Sequence, residues 1–64
     1  MADFAPELKR RLREAGCTRV RQGHGDHEIW YSPTTRRNFP VDQKILSRHT
    51  ANAVLKQAGL PKAF

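Results

Sequence analysis

The sequence predicts an α+β fold in the order α-β-β-β-α, a three-stranded antiparallel sheet with two helices on one of its faces. Two observations lead there. Apolar residues recur at helical spacing near both ends of the chain, and between them the pattern changes to alternation, interrupted by turns rich in Gly and Pro. The chain has 64 residues, with four Gly, four Pro and one Cys, which allows one small domain over residues 1-64. A chain of this length buries only about 60% of its unfolded surface, so its core is a thin apolar layer without room for a deep cofactor cleft.

The first helix is expected from about Phe4 to Ala15, because Phe4, Leu8, Leu12 and Ala15 fall on one face. Pro6 is tolerated in the first turn, and Asp3 or Glu7 there suits the positive end of the helix dipole. Gly16 ends it, taking the left-handed position from which Cys17 reaches back to Leu12. The same ending is written again as Leu55-Lys-Gln-Ala-Gly59-Leu60, so a second helix ends at Ala58, with Ala51, Val54, Leu55 and Ala58 inward and Ser47 as its N-cap.

Between the helices, Thr18 to Gln22 reads as a short strand, Gly23-His24-Gly25-Asp26 as a tight turn and His27 to Ser32 as the strongest strand. Pro33 to Arg36 turns again, and Asn38 to Val41 makes a third strand. Pro40 cannot donate to a ladder and places that strand at an edge. On the middle strand His27, Ile29 and Tyr31 face one way, and Glu28, Trp30 and Ser32 the other. Each face carries an aromatic. An inward Ile29 would leave Trp30 partly exposed as a base-stacking platform, whereas the usual burial of large aromatics favours Trp30 as core filler.

Twelve Lys and Arg against six Asp and Glu give a formal charge of +6, which suits a polyanionic partner. Arg outnumbers Lys two to one, and its planar fork fits phosphate. Arg19 and Arg21 are expected to share one strand face, with Arg36 and Arg37 at a hairpin closing over the same side and Lys44 adding a further cation. The start MADFAPELKRR holds no signal-peptide run, and nothing approaches the roughly 18 apolar residues of a membrane span, so a cytoplasmic location and no membrane partner are expected. Cys17 is alone and closes no internal disulfide.

His24 and His27 bracket a Gly-Asp pair. A histidine at the mouth of a turn, beside a glycine that admits a close backbone approach, can exchange a proton with a ribose 2′-hydroxyl near neutral pH. Gly25 would admit the phosphate, and Arg19, Arg21, Arg36, Arg37 and Lys44 would carry cations to it. A metal site is not expected, because one four-residue turn would have to converge both imidazoles and Asp26 with no second cluster to complete the shell. No cofactor is expected. His49, at a helix start, reads as structural rather than as a second catalytic group.

In this order the residues resemble the HicA toxin family, small messenger-RNA interferases of bacterial toxin–antitoxin pairs. The likeness rests on the first helix ending Ala-Gly, on Val20-Arg-Gln followed by Gly25-Asp26-His27, on Ile29-Trp30-Tyr31, on Phe39-Pro40-Val41 and on the terminal Leu55-Lys-Gln-Ala-Gly-Leu. It implies a fold similar to a double-stranded-RNA-binding domain, ribosome-independent and metal-independent RNA cleavage with His27 as the catalytic residue, and a cognate HicB antitoxin that blocks the active face. Three positions depart from the family's common pattern. Asp26 stands where Ser often precedes the histidine and would set a negative charge beside His27, raising its pKa. Asp42 stands where many members carry His, and His49-Thr50 where many carry Gly-Thr. A non-catalytic RNA-binding module and a domain that binds only protein are the rival readings. RNA that is bound but left intact, or tight binding to an acidic protein without RNA affinity, would distinguish them.

Overall fold

The computed structural model describes residues 3–64. Its elements are α1 (Ala5–Glu14), β1 (Thr18–Gln22), β2 (His27–Ser32), β3 (Arg37–Asp42) and α2 (Arg48–Gln57), the order read from the sequence. The strands form one antiparallel sheet, β1-β2-β3, with β2 in the centre. β3 is one residue longer at each end than alternation indicated, and the added Asp42 proves to matter. No helix among the described residues is long and apolar enough to cross a membrane.

Both helices end by the same device. Cys17 N donates to Leu12 O at 2.9 Å past a left-handed Gly16 (φ 93°), and Leu60 N donates to Leu55 O at 2.8 Å past a left-handed Gly59 (φ 79°). These are the reciprocal bonds by which a helix satisfies its last carbonyls while reversing the chain. Ser47 caps α2, its Oγ accepting from His49 N at 3.2 Å. Asp3 does more than favour the helix dipole, since its Oδ1 accepts from both Ile45 N and Ala5 N at 3.0 Å. It thereby ties the start of α1 to the segment between β3 and α2, and those two bonds hold its carboxyl below the ordinary 3.8.

The core is a single layer in which Leu8 and Leu12 of α1 and Ala51, Val54 and Leu55 of α2 meet Trp30, Phe39 and Val41 of the sheet. Trp30 is only 1% exposed. The expectation of an inward Ile29 is thus corrected: Ile29 is half-buried on the opposite face, and the indole, the largest side chain of the chain, fills a volume the helices' small residues leave open. Ser32, on the same face, is fully buried and donates to Ala58 O at 2.7 Å, fastening the end of β2 to the end of α2. The C-terminal residues are held as well. Asn52 donates to Phe64 O at 3.1 Å and accepts from Phe64 N at 3.0 Å, while the Phe64 ring packs edge-on against Phe4, 5.5 Å away.

Glu28 lies between α1 and the sheet with its side chain 14% exposed, accepting from Trp30 Nε1 at 3.1 Å and facing Lys9 Nζ at 3.2 Å and Arg19 Nε at 3.4 Å. Burial alone would push its carboxyl up, but the indole N–H, Lys9 and Arg19 together outweigh it, so the carboxyl titrates below the ordinary 4.5. A folded-state value below the unfolded one means that the stabilisation is complete above about pH 4.5 and is lost as the pH falls through the lower folded value. Glu28→Gln should therefore cost about 1–3 kcal/mol at neutral pH in urea unfolding, and the gap to wild type should narrow toward pH 3. A gap that stays constant over that range would show that the carboxylate's charge is not what holds Trp30 and Lys9.

Candidate functional site

Burying Trp30 turns His27, Ile29 and Tyr31 to the face that the helices leave open. The register between β2 and β3 sets His27 opposite Asp42, Ile29 opposite Pro40 and Tyr31 opposite Asn38. Gln43 N donates to Asp26 O at 3.0 Å, so the pair next to His27 and Asp42 is the hydrogen-bonded kind. In an antiparallel ladder the two kinds alternate, which makes His27–Asp42 a non-hydrogen-bonded pair, the kind that brings side chains closest. The same alternation explains Pro40, which falls on a non-hydrogen-bonded position of an edge strand and so forfeits no ladder bond.

His27 Nδ1 lies 2.5 Å from Asp42 Oδ1, with the two side chains 53% and 42% exposed. The expected neighbour was Asp26. The carboxylate the structure sets against the ring is that of Asp42, because cross-strand partners point to the same face. Asp42 is the residue at this site that reading the chain along its length missed. Its signal was the four-residue turn Pro33–Arg36, which pairs Ser32 with Arg37 and, counting back five residues on one strand and forward five on the other, pairs His27 with Asp42.

The turn before β2 is held firmly. Gly23 N donates to His27 O at 2.9 Å, His27 N donates to His24 O at 3.2 Å, and Gln22 Nε2 reaches Gly25 O at 3.3 Å. Gly25 has φ 60°, and a Cβ placed there would meet nothing within 4 Å, so the space beside it is open. His24 and Asp26 are exposed in this turn. Among the described residues no three His, Cys, Asp or Glu side chains come together to hold a metal ion.

The predicted cations are only partly brought together. A bulge at Val20 shifts the β1–β2 register between Arg19 and Arg21, so Arg19 sits opposite Trp30 and Arg21 opposite Ile29. The expectation that they share a face is overturned: the extra residue sends Arg19 to the helix side, where it meets Glu28, and leaves Arg21 on the open face opposite Ile29, two rungs from His27. Lys44 follows the Gln43 that bonds the turn, at the same end of the sheet. Arg36, with φ 58°, and Arg37 lie at the other end, about 17 Å along β2 at ~3.3 Å per residue. On the helix layer, Glu7, Glu14 and Glu28 engage Lys9, Arg10, Arg11 and Arg19, and Arg13 stacks over Trp30. Among the described residues Arg21, Arg36, Arg37 and Lys44 form no ion pair. A groove of about 280 Å³ between the helices and the C-terminal residues is lined by Arg11, Leu55 and Leu60 and contains no histidine.

The family model described as the HicA toxin of bacterial toxin-antitoxin matches residues 5–60, which takes in both helices and all three strands. No curated protein and no solved structure matches the chain.

Gly25 and Gly59 both have positive φ, but a Cβ on Gly59 would lie 2.8 Å from Thr35 Cγ2 and 3.1 Å from Thr34 Cγ2. Asn tolerates the left-handed region better than other non-glycine residues. Gly25→Asn should thus lower unfolding stability by about 1 kcal/mol or less, while Gly59→Asn should lose about 2 kcal/mol or more from the added crowding. Equal losses in thermal unfolding would show that space beside the backbone does not separate the two sites.

Proposed function

The chain belongs to the HicA toxin family of bacterial toxin–antitoxin systems, and on that footing we propose that it is a toxin-type RNA endonuclease, an mRNA interferase whose reacting side chain is His27. The observation that carries this reading is the half-exposed imidazole at the end of the central strand, on a face the helices leave open, beside the unfilled space at Gly25.

RNA supplies its own nucleophile, so the chemistry asked of the protein is modest. Removal of the 2′-hydroxyl proton lets O2′ attack the adjacent phosphorus in line. The P–O5′ bond then breaks, leaving a 2′,3′-cyclic phosphate on one product and a 5′-hydroxyl, protonated from solvent, on the other. His27 exchanges the proton. Gly25 admits the phosphate, and Arg21 and Lys44, at the same sheet end, offset the charge that grows on its oxygens. Arg36 and Arg37 hold the strand further along the sheet, beyond Ile29 and Tyr31. Arg19, paired with Glu28, braces β1 rather than reaching the phosphate. The neutralising partner is a HicB-like antitoxin covering the open face, and no small-molecule cofactor enters the reaction.

His27→Ala should lower the cleavage rate of a single-stranded RNA by on the order of 10²–10⁴-fold while RNA is still bound. The products of the wild-type protein should end in 2′,3′-cyclic phosphate, and cutting should persist in EDTA. Unchanged cutting by His27→Ala removes the imidazole from the reaction, and binding without cleavage by the wild-type protein favours an RNA-binding module. Arg21→Gln should reduce the salt dependence of binding by about 0.7 in the log–log slope, the contribution of one phosphate contact to a single strand.

A further inference from the structure

We infer that Asp42 is the positioning residue of His27: its carboxylate takes the Nδ1–H of the imidazole and so leaves Nε2 as the nitrogen that meets the RNA. The inference rests on the nuclease reading above and extends it to a second residue and to a particular atom.

Three features of the structure carry it. The 2.5 Å separation of Nδ1 and Oδ1 sets an ionisable carboxylate directly against one ring nitrogen. It is imposed by the fold, because both residues sit on strands in a non-hydrogen-bonded pair whose neighbouring rung is closed by Gln43 N to Asp26 O at 3.0 Å. The other edge of His27 is fixed too, its carbonyl accepting from Gly23 N at 2.9 Å. A neutral imidazole carries one proton on either ring nitrogen, and an acceptor held against Nδ1 selects the form with that proton. The lone pair is then on Nε2, on the far side of the ring. In the first step Nε2 takes the proton from the 2′-hydroxyl as the O2′–P bond forms and the P–O5′ bond breaks. The imidazolium returns its proton to solvent, O5′ gains one from water, and Asp42 stays ionised throughout.

The charged groups around the ring come from each neighbouring element: Asp42 on β3, Arg21 of β1 two rungs along and opposite Ile29, His24 and Asp26 in the turn, and Lys44 beyond β3. Asp42 is the one in contact. Asn at this position keeps the shape but can present an N–H to Nδ1, which favours the opposite tautomer.

The test uses the full chain with ¹⁵N-labelled histidine and a defined single-stranded RNA. Wild type should show neutral His27 mainly in the Nδ1–H form by long-range ¹H–¹⁵N correlation. Asp42→Asn should shift the ring toward the Nε2–H form and lower kcat by about 10²-fold, with KM and the thermal midpoint little changed. A merely structural Asp42 would move the thermal midpoint instead and leave the tautomer of the folded fraction alone. Finding the wild-type ring in the Nε2–H form overturns the inference, whatever the variants do. Wild-type kcat in Asp42→Asn alongside loss of cleavage in His27→Ala overturns it while leaving the nuclease reading intact, whereas full cleavage by His27→Ala overturns that reading and the positioning role with it.

Discussion

A β-strand can turn only one of its two sets of alternating side chains toward a core, and in β2 the burial of Trp30 makes that choice. Once the indole is buried in the core that holds Leu8, Leu12, Val54 and Leu55, Ser32 must also face inward, where it bonds Ala58, and Glu28 follows to meet Lys9. His27, Ile29 and Tyr31 have no choice but to face outward. Burying a side chain of this size contributes several kcal/mol, which exceeds anything an exposed imidazole could gain or lose by facing either way. The orientation of the proposed reacting group is therefore set by a residue that has no part in the proposed reaction.

The same principle runs through the rest of the frame. The helices are held on the sheet by apolar packing, but their positions along it are fixed by directional contacts at element ends: Asp3 to Ile45 at the start of α1, Ser32 to Ala58 at the end of α2, and Asn52 to the terminal Phe64. Gly59 closes the second helix against Thr34 and Thr35, so the turn linking β2 to β3 is pressed against the end of α2. That turn sets the pairing of the two strands. A contact far from His27 thus stabilises the register that delivers Asp42 to it.

Much of this could be read in the chain before the structure. Gly16 and Gly59 mark helix ends because only glycine adopts their backbone cheaply, Ser47 announces a cap, and Pro40 requires an edge, so the elements and their order followed from local chemistry. What escaped were consequences of pairing. Nothing in Thr18-Arg-Val-Arg-Gln marks the bulge, because its extra residue is Val20 rather than a glycine, and one inserted residue is enough to separate Arg19 from Arg21. Asp26 drew attention as the neighbour of His27 in sequence, but the carboxylate that touches the ring comes from across the ladder. Single-chain patterns show faces well and partners poorly, since a partner is fixed by a turn several residues away.

The distribution of charge gives the Asp42 contact a further consequence. A carboxylate beside the proposed phosphate-binding end opposes a polyanion, and in a chain of net charge +6 such a residue would weaken binding unless it acts through something else. The three glutamates are engaged on the helix side and Asp3 is bound by the backbone N–H groups of Ile45 and Ala5, which leaves Asp26 and Asp42 as the carboxylates beside His27 in the turn and across the ladder. With neutral His27, the His27–Asp42 pair bears one negative charge. In the proposed reaction, Nε2 accepts the 2′-hydroxyl proton and the pair becomes neutral at the moment negative charge grows on the nucleophile and the phosphorus oxygens. On that proposal the repulsion felt by bound RNA would be relieved in the transition state and not before, a difference that would speed the chemical step rather than tighten substrate binding. A cation at position 42 would do the reverse, attracting the ground state while opposing protonation of the ring.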